Sequence, residues 1–390
     1  MKTERNHIDL PTLIAVLLLM VLSLGVVYSA SSSWAMHRWG ENSRYLGSHA
    51  VKVLIGFIMI FFFMQVDYHI YQKMTKPALL GALGLLVITL ALGGEVKGAT
   101  RWLRFGGFGL QPSEFAKYAL IFHLSTLIAM KQDRIRDFKF GYLPMMTWIG
   151  LVTVLVLLQP NFSTGAIIFV LSLTMLFLGR ARLSHIGLAL ASLLPLLLVY
   201  MLRAEYRMKR ITGFLSGTSD GDAMNYQLRQ GIIGFGNGGL FGVGPGESRQ
   251  RDFFLPESYG DFVFSIVGEE YGLIGTVFIM LLFLTILLRG MRVAKYSRDD
   301  YGRMLASGIT LSIIIYALVN AGVTLGILPT TGLPMPFVSY GGSSMVFSSI
   351  AIGVLLNISS QTDLHPRVAR HEVKPKSVEL SATSAVGKIY

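Results

Sequence analysis

The sequence predicts an all-α integral membrane protein with about ten transmembrane helices. Hydrophobic residues make up 52% of the 390 positions, and charged residues make up only 14%. The apolar residues occur in runs of about twenty, which is the length that an α-helix needs to cross the hydrocarbon core of a bilayer. The composition therefore excludes an ordinary soluble domain.

Ten apolar segments are long enough to be transmembrane spans. They lie at about residues 10–30, 49–66, 77–93, 112–130, 142–158, 162–179, 183–202, 262–288, 304–326 and 338–358. The first segment follows Lys2 and Arg5, and a cleaved signal peptide is the alternative for it. About twenty apolar residues exceed the usual core of a signal peptide, so we favour a retained first span.

Lysine and arginine in the short loops predict how the chain crosses the membrane. With the N-terminus inside, most of the 34 basic residues fall in cytoplasmic segments. Both termini are therefore predicted to be cytoplasmic, and residues 203–261 are predicted to form a long extracytoplasmic loop between spans seven and eight. Residues 1–358 form the membrane domain, and residues 359–390, which are polar, form a flexible cytoplasmic tail.

The formal net charge of +12 does not predict a nucleic-acid partner, because the chain has no charge-rich soluble segment to carry a binding patch. The basic excess suits anionic lipid headgroups instead. The sequence contains no cysteine, which excludes a disulfide framework and thiolate metal sites. No dedicated metal site and no certain cofactor are visible, although a divalent cation remains an open possibility.

The segment 225–275 combines glycines, arginines and carboxylates between long apolar segments. Because ionisable groups are costly in hydrocarbon, such a segment requires water, a substrate or a partner. Residues 234–239 fit the pattern G-x-G-x-x-G, but no βαβ unit surrounds them, so tight backbone packing is favoured over dinucleotide binding. Asp261 is the leading candidate for chemistry. Ser258 and Asp261 also fit an S-x-x-D capping box at the start of span eight, so a purely structural role stays open.

The second outer loop contains three basic residues, Lys97, Arg101 and Arg104, beside Trp102. This cluster suits an anionic headgroup at the membrane surface, and ordinary interfacial anchoring explains it equally well.

Span four is predicted to begin at Pro112, which suits the first turn of a helix. Glu114 and Lys117 would then lie three residues apart inside the membrane. They would either neutralise each other or line a polar cavity. Near the start of span ten, Ser343 belongs to a run of small residues that lets the backbone or a substrate approach closely.

The chain resembles the SEDS family (shape, elongation, division and sporulation), which includes the FtsW and RodA types. The segments that carry the resemblance extend from the first span to the last: YSASS at residue 28, KGATRWLR, QPSEFAK, GGLFGVGPGESRQ, LPESYGDFVFSIVGEE and LPTTGLPMPFVSYGGSS. The YSASS segment and the sequence Gly268-Glu269-Glu270 favour the FtsW type.

The resemblance implies a ten-helix peptidoglycan glycosyltransferase that polymerises lipid II outside the cytoplasmic membrane. It implies a class B penicillin-binding protein as partner, together with other division or elongation membrane proteins. The essential acid of the family falls on Asp261, and the conserved glutamate and lysine fall on Glu114 and Lys117. Two departures occur: Tyr259-Gly260 replaces His-Thr before the acid, and Asn161 replaces an aspartate.

In the implied reaction, Asp261 removes the proton of an attacking sugar hydroxyl. The residues that we expect to bind substrate, chiefly its pyrophosphate, are Lys117, Glu114, Arg101, Arg104, Trp102, Arg249 and Ser343. A lipid II flippase is the main alternative, because an intramembrane polar pair also suits a transport path. A scaffold that only recruits the transpeptidase is a third hypothesis. The sequence leaves open whether the protein acts in division or in elongation.

Overall fold

The structure is a computed structural model that describes residues 7–96, 99–105, 108–202, 223–255 and 258–362. Within these ranges it contains eleven α-helices and three short strands. The helices are α1 (Leu10–Trp39), α2 (Arg44–Gln65), α3 (Tyr68–Leu92), α4 (Pro112–Met130), α5 (Leu143–Leu158), α6 (Phe162–Leu178), α7 (Leu183–Leu202), α8 (Ala223–Gly238), α9 (Val263–Lys295), α10 (Asp300–Thr324) and α11 (Gly342–Ser360). The strands are β1 (Gly94–Val96), β2 (Ala99–Phe105) and β3 (Phe108–Leu110). Short π-helical turns lie at Phe138–Tyr142 and Gln250–Phe254.

Ten of these helices, α1 to α7 and α9 to α11, correspond to the ten predicted spans. Seven are long and apolar enough to cross a membrane on length and composition, and α6 and the first part of α7 are shorter apolar helices. The remaining one, α4, carries Glu114 and Lys117 in an otherwise apolar sequence. The predicted all-α, multi-pass membrane fold is confirmed.

Helices α10 and α11 lie at the centre of the bundle. In each of them, 78% of the most apolar stretch is buried, against 22% in α2. Helix α10 packs against α4, α6 and α9. A polar side chain on α10 can therefore reach several other helices without facing lipid.

Helix α1 extends nine residues beyond the predicted end of the first span. It contains 30 residues, which corresponds to about 45 Å and exceeds the thickness of the hydrocarbon core. The extension is held by the π-turn at 250–254, because the Ser33 hydroxyl donates to the Asp252 carboxylate. Just before the extension, Arg251 Nη1 of the same turn donates to Ser29 Oγ at 3.1 Å. Tertiary contacts, rather than hydropathy, set the C-terminal end of this helix.

Two connections, between α3 and α4 and between α7 and α9, contain structure that the sequence did not predict. In the second outer loop, β1, β2 and β3 form an antiparallel sheet in that order, with Arg104 opposite Gly109. In the long loop, residues 223–238 form helix α8, so the first five residues of the G-x-G-x-x-G pattern are helical. The interpretation of these glycines as packing residues agrees with Gly238, where an added Cβ would lie 1.9 Å from the Gly268 carbonyl oxygen.

Helix α9 is interrupted at Gly272, whose backbone is not helical (φ 63°, ψ −160°). The glycine-rich segment 239–244 fills the interruption with four backbone hydrogen bonds. These run from Val243 N to Glu269 O (2.9 Å), from Gly244 N to Glu270 O (3.1 Å), from Leu273 N to Gly239 O (2.9 Å) and from Ile274 N to Leu240 O (3.2 Å). Broken helices are tolerated at membrane depth where neighbouring segments satisfy the freed backbone groups. The outer loop is thereby fixed to the part of α9 that follows Asp261.

The side chains of Glu269 and Glu270 reinforce this attachment. The Glu269 carboxylate accepts hydrogen bonds from the Ser248 hydroxyl and from the Gln250 N–H, the latter at 3.1 Å. The Glu270 carboxylate accepts one from the Ser29 hydroxyl on α1. Both glutamates are buried, so they hold the outer loop, α1 and α9 together.

Candidate active site

Asp261 lies in a turn at residues 258–262, immediately before α9, and its side chain is partly exposed. Helix α9 begins at Val263 with Phe262 in the N-cap position, and no side chain caps it. The predicted capping box is therefore wrong. Instead, the hydroxyl of Ser258 donates to the carbonyl of Ala30 on α1 at 2.8 Å. This hydrogen bond joins the turn before α9 to α1.

The backbone of this turn is anchored by Asn320, a buried residue of α10. The Asn320 side-chain amide donates to the carbonyl oxygen of Asp261 and to that of Leu333, each at 2.7 Å. One amide thus joins the Asp261 turn to the loop between α10 and α11. This hydrogen bond positions the backbone of Asp261 and does not involve its carboxylate.

Gly332, in that same loop, lies against the carboxylate of Asp261. An added Cβ at Gly332 would lie 3.4 Å from Asp261 Oδ2, and the residue has φ +70°, which favours glycine. The loop therefore passes close to the carboxylate at a position where most side chains would be strained.

Glu114 and Lys117 form a buried ion pair in the first turns of α4, which begins at Pro112 as predicted. Lys117 Nζ lies 2.9 Å from Glu114 Oε2, and each side chain is only 3% exposed. The ammonium also lies 3.8 Å from the ring centroid of Tyr316 on α10, within the range of a cation–π contact. The pairing alternative for these two residues is confirmed.

Helix α10 connects this ion pair to the Asp261 turn. Tyr316 and Asn320 are four residues apart, so they lie on the same face of α10 and are separated by about 6 Å along its axis. Tyr316 contacts Lys117, and Asn320 holds the backbone of Asp261. The predicted acid and the predicted intramembrane pair are therefore neighbours along one helix face.

In the second outer loop, the structure describes the side chains of Arg101 and Trp102. Arg101 donates through Nη2 to the carbonyl of Pro160, which ties β2 to the loop before α6. The ring of Trp102 lies over Gly109, where an added Cβ would be 3.3 Å from the indole. Arg104 lies on β2, but its side chain and the whole of Lys97 fall outside the described residues.

Ser343 joins this loop to the start of α11. Its hydroxyl oxygen accepts the Gln111 N–H at 2.9 Å and donates to the Gly109 carbonyl at 3.2 Å. Arg249, by contrast, is exposed at the start of the π-turn. Ser343 therefore joins two segments of the protein, whereas Arg249 lies on the surface.

Two further residues bear on the site. Asn161, which replaces the aspartate of the resembling family, is buried, and its amide lies 3.5 Å from Ser113 Oγ, next to Glu114. Asn320 was missed by the sequence analysis, although a buried amide inside an apolar span is a recognised signal of function. Within the described ranges, no group of three or more histidines, aspartates or glutamates is arranged to hold a metal ion.

Comparison with known proteins identifies the family. The model of the FtsW, RodA and SpoVE cell cycle proteins matches residues 10–364, which include all ten spans and the long outer loop. The chain belongs to the FtsW/RodA/SpoVE family. Its relatives within that family include a probable peptidoglycan glycosyltransferase FtsW of Geobacter metallireducens, which is 38% identical over 92% of this chain and 96% of the relative. The stage V sporulation protein E of Bacillus subtilis is also 38% identical, over 92% of this chain and 99% of that protein.

Two solved structures share the fold. A chain from a peptidoglycan synthase complex matches with a TM-score of 0.75 at 23% identity, over 90% of this chain and 97% of that chain. The rod shape determining protein RodA of Thermus thermophilus matches with a TM-score of 0.68 at 23% identity, over 91% and 98% of the two chains. In both cases the match extends over nearly the whole length of the two chains.

Proposed function

We propose that this chain is a peptidoglycan glycosyltransferase that polymerises lipid II into glycan strands on the outer side of the cytoplasmic membrane. Family membership and the names of its relatives support the activity. The observation that carries the proposal is the placement of Asp261: the carboxylate is partly exposed at the start of α9, while its backbone is anchored to α10. A general base has to be both positioned and accessible to its substrate.

In the proposed reaction, the hydroxyl oxygen of an acceptor sugar attacks the anomeric carbon of a lipid-linked glycan. The new C–O bond forms as the bond to the lipid pyrophosphate breaks, and the hydroxyl proton passes to Asp261. A sugar hydroxyl is a weak nucleophile, and a positioned base contributes about 10²- to 10⁴-fold to such a step.

The departing pyrophosphate needs positive charge around it. Lys117 is the most central candidate, because its ammonium contacts Tyr316, which shares one face of α10 with Asn320, the anchor of Asp261. Glu114 holds the Lys117 ammonium in place, and Arg101, Arg104 and Arg249 would act from the outer loops, with a divalent cation as a further source of charge. We assign Trp102 and Ser343 supporting roles in shaping this outer surface.

The proposed activity implies a membrane orientation and a set of protein partners. Both termini are cytoplasmic, the Asp261 turn faces the outside, and the protein works with a class B penicillin-binding protein and other membrane proteins of cell division or elongation. The similarity to a chain of a peptidoglycan synthase complex supports a partner of this kind.

Polymerisation of purified lipid II tests the proposal directly. The full-length protein, together with its transpeptidase partner, should produce glycan polymer, and Asp261→Asn should reduce the initial rate at least a hundredfold. Asp252→Asn is the matched control, because it changes another outer aspartate that contacts Ser33 and Arg251. Unchanged polymer from Asp261→Asn would remove Asp261 from the mechanism, and absence of polymer from the wild type would remove the proposed activity.

Transport of lipid II, the alternative function, has no specific support in the described residues. Glu114 and Lys117 are paired in the protein interior, and neither residue lines the large apolar cavity between α8, α9 and α10. We therefore propose the enzyme and not the flippase.

A further inference from the structure

Three tyrosines from distant parts of the chain meet beside the Asp261 turn. Tyr45 lies on α2, Tyr259 lies in the turn itself, and Tyr340 lies just before α11. The ring centroids are 4.8 Å apart for Tyr45 and Tyr259, 5.6 Å for Tyr45 and Tyr340, and 5.5 Å for Tyr259 and Tyr340. All three pairs are in aromatic contact, and we call these residues the tyrosine cluster.

The tyrosine cluster is held in place by contacts from two sides. The backbone N–H of Tyr340 donates to the carbonyl of Tyr259 at 3.0 Å, and the Tyr340 hydroxyl lies 3.0 Å from Ser48 Oγ. Lys52 Nζ lies 3.5 Å from the centroid of the Tyr340 ring. Because Tyr45, Ser48 and Lys52 are three and four residues apart, they share one face of α2.

The tyrosine cluster differs from the aromatic residues of the core in its accessibility. All three of its residues are only partly buried, whereas Tyr316 and Tyr68 are 1% and 2% exposed. A cluster whose sole purpose was packing would be expected to close over its rings. Aromatic surface therefore remains accessible within two residues of Asp261.

We propose that the tyrosine cluster binds a pyranose ring of the saccharide substrate; this inference rests on the proposed function. An aromatic face packs against the apolar C–H face of a sugar, while tyrosine hydroxyls offer hydrogen bonds to sugar hydroxyls. Tyr259 and Asp261 are two residues apart, so their Cα atoms are separated by at most about 7 Å. A sugar held on the cluster would thus have its reacting end near the proposed base.

The charge of Lys52 suits the same ligand. Among the described residues, no ion-pair partner is found for Lys52, whose ammonium faces the Tyr340 ring. A cation at the edge of the cluster favours a saccharide that carries anionic groups, as a lipid-linked pyrophosphate does. The cluster also gives a role to Tyr259, which stands where the resembling family has histidine.

Substitution of Tyr45 tests the inference without changing any residue of the Asp261 turn itself. We expect Tyr45→Leu, which keeps an apolar side chain but loses the aromatic face, to raise the KM for lipid II about five- to tenfold with little change in kcat. Tyr45→Phe keeps the face and loses the hydroxyl, so its KM should rise less. Tyr296→Leu is the matched control, because Tyr296 is an exposed tyrosine at the opposite end of α9.

Varying lipid II and a preformed lipid-linked oligomer separately identifies which saccharide occupies the cluster, because only the KM of that substrate should rise. An unchanged KM in Tyr45→Leu for both substrates would overturn the inference. So would a fall in kcat alone accompanied by a lower Tm, since that result describes packing. Direct binding of lipid II in nanodiscs, weaker for Tyr45→Leu than for Tyr296→Leu, would support the cluster even if no polymer formed, so the two proposals fail separately.

Discussion

The Asp261 turn and the Glu114–Lys117 pair contact neighbouring positions on one face of α10, Asn320 and Tyr316, yet they are held in different ways. The two side chains of the pair hold each other, and both are almost completely buried. Asp261 is fixed through its backbone carbonyl, and its carboxylate remains partly exposed. The difference indicates two separate roles: an accessible carboxylate can exchange a proton with a substrate, whereas the buried pair holds the Lys117 ammonium in a fixed position.

This comparison predicts different consequences for substitutions at the two places. A change in the buried pair should first affect folding, because an unpaired buried charge is strongly destabilising. A change at Asp261 or its anchor should first affect turnover, because the carboxylate is partly exposed and is the proposed base.

The largest expected effect on stability comes from Lys117→Met. Removing the lysine leaves Glu114 buried without its partner, which typically costs about 3–5 kcal/mol. A large fall in Tm in nanodiscs, or loss of folded protein on expression, is the expected result. A Tm equal to that of the wild type would show that Glu114 is satisfied without Lys117.

The double variant Glu114→Gln/Lys117→Met sharpens this result. It removes both charges, so we expect most of the lost stability to return, because replacing a whole buried pair is often close to neutral. If Lys117 also stabilises the pyrophosphate, polymerisation will stay low in the refolded double variant. Recovery of both stability and activity would restrict the pair to a structural role.

Asp9→Asn tests a buried pair at the other end of the bundle. Arg289 Nε donates to Asp9 Oδ1 at 2.9 Å, and Thr12 Oγ1 donates to Asp9 Oδ2 at 2.6 Å. Burial by itself would raise the pKa of Asp9, but the hydrogen bonds from Arg289 and Thr12 lower it below the ordinary 3.8.

Because the folded pKa of Asp9 is lowered, its contribution to stability is present above pH 3.8 and is lost as the pH falls through the folded value. Asp9→Asn should lower Tm at neutral pH by less than Lys117→Met, because Arg289 is partly exposed. The difference in Tm from the wild type should shrink toward acid pH. A difference in Tm that is constant with pH would contradict this account of the pair.

Asn320→Ala should lower turnover more than stability. It removes two hydrogen bonds from buried carbonyls, at about 1–3 kcal/mol for groups left unsatisfied, and it releases the Asp261 turn. Small displacements of a catalytic group cost up to about a hundredfold in rate. We expect kcat to fall about ten- to a hundredfold with KM nearly unchanged, and partial rescue by Asn320→Gln. A changed KM with normal kcat would contradict a positioning role.

The smallest effect is expected for Ser343→Ala. This change removes two hydrogen bonds that join the second outer loop to α11, at about 1 kcal/mol in total after solvent compensation. Tm should fall slightly, and the initial rate of polymerisation should change less than twofold. A tenfold loss of rate would instead place the Ser343 hydroxyl in contact with substrate.

Hydropathy predicted the ten membrane helices, because a bilayer imposes a length on any apolar helix. They could not predict the interruption at Gly272 or the extension of α1 to Trp39, since both depend on hydrogen bonds with the long outer loop. The small sheet at residues 94–110 was missed for a similar reason: its strands are short, and two of them contain three residues.

Contacts of the candidate site could be predicted from the sequence only where both residues lie in the same helix. Glu114 and Lys117 are three residues apart, so their pairing follows from helical spacing. The anchor of Asp261 by Asn320 joins residues 59 positions apart, and the tyrosine cluster joins three separate elements. Such contacts cannot be inferred from local spacing, because they depend on how the helices pack.

The central claim is that Asp261 acts on the proton of the bound substrate and does not hold the fold or bind the lipid. The direct measurement is lipid II binding and initial polymerisation rate, determined in parallel for Asp261→Asn in nanodiscs with the transpeptidase partner. The account predicts a Kd within about threefold of the wild type and a rate at least a hundredfold lower. A retained rate, or a loss of binding as large as the loss of rate, would contradict it.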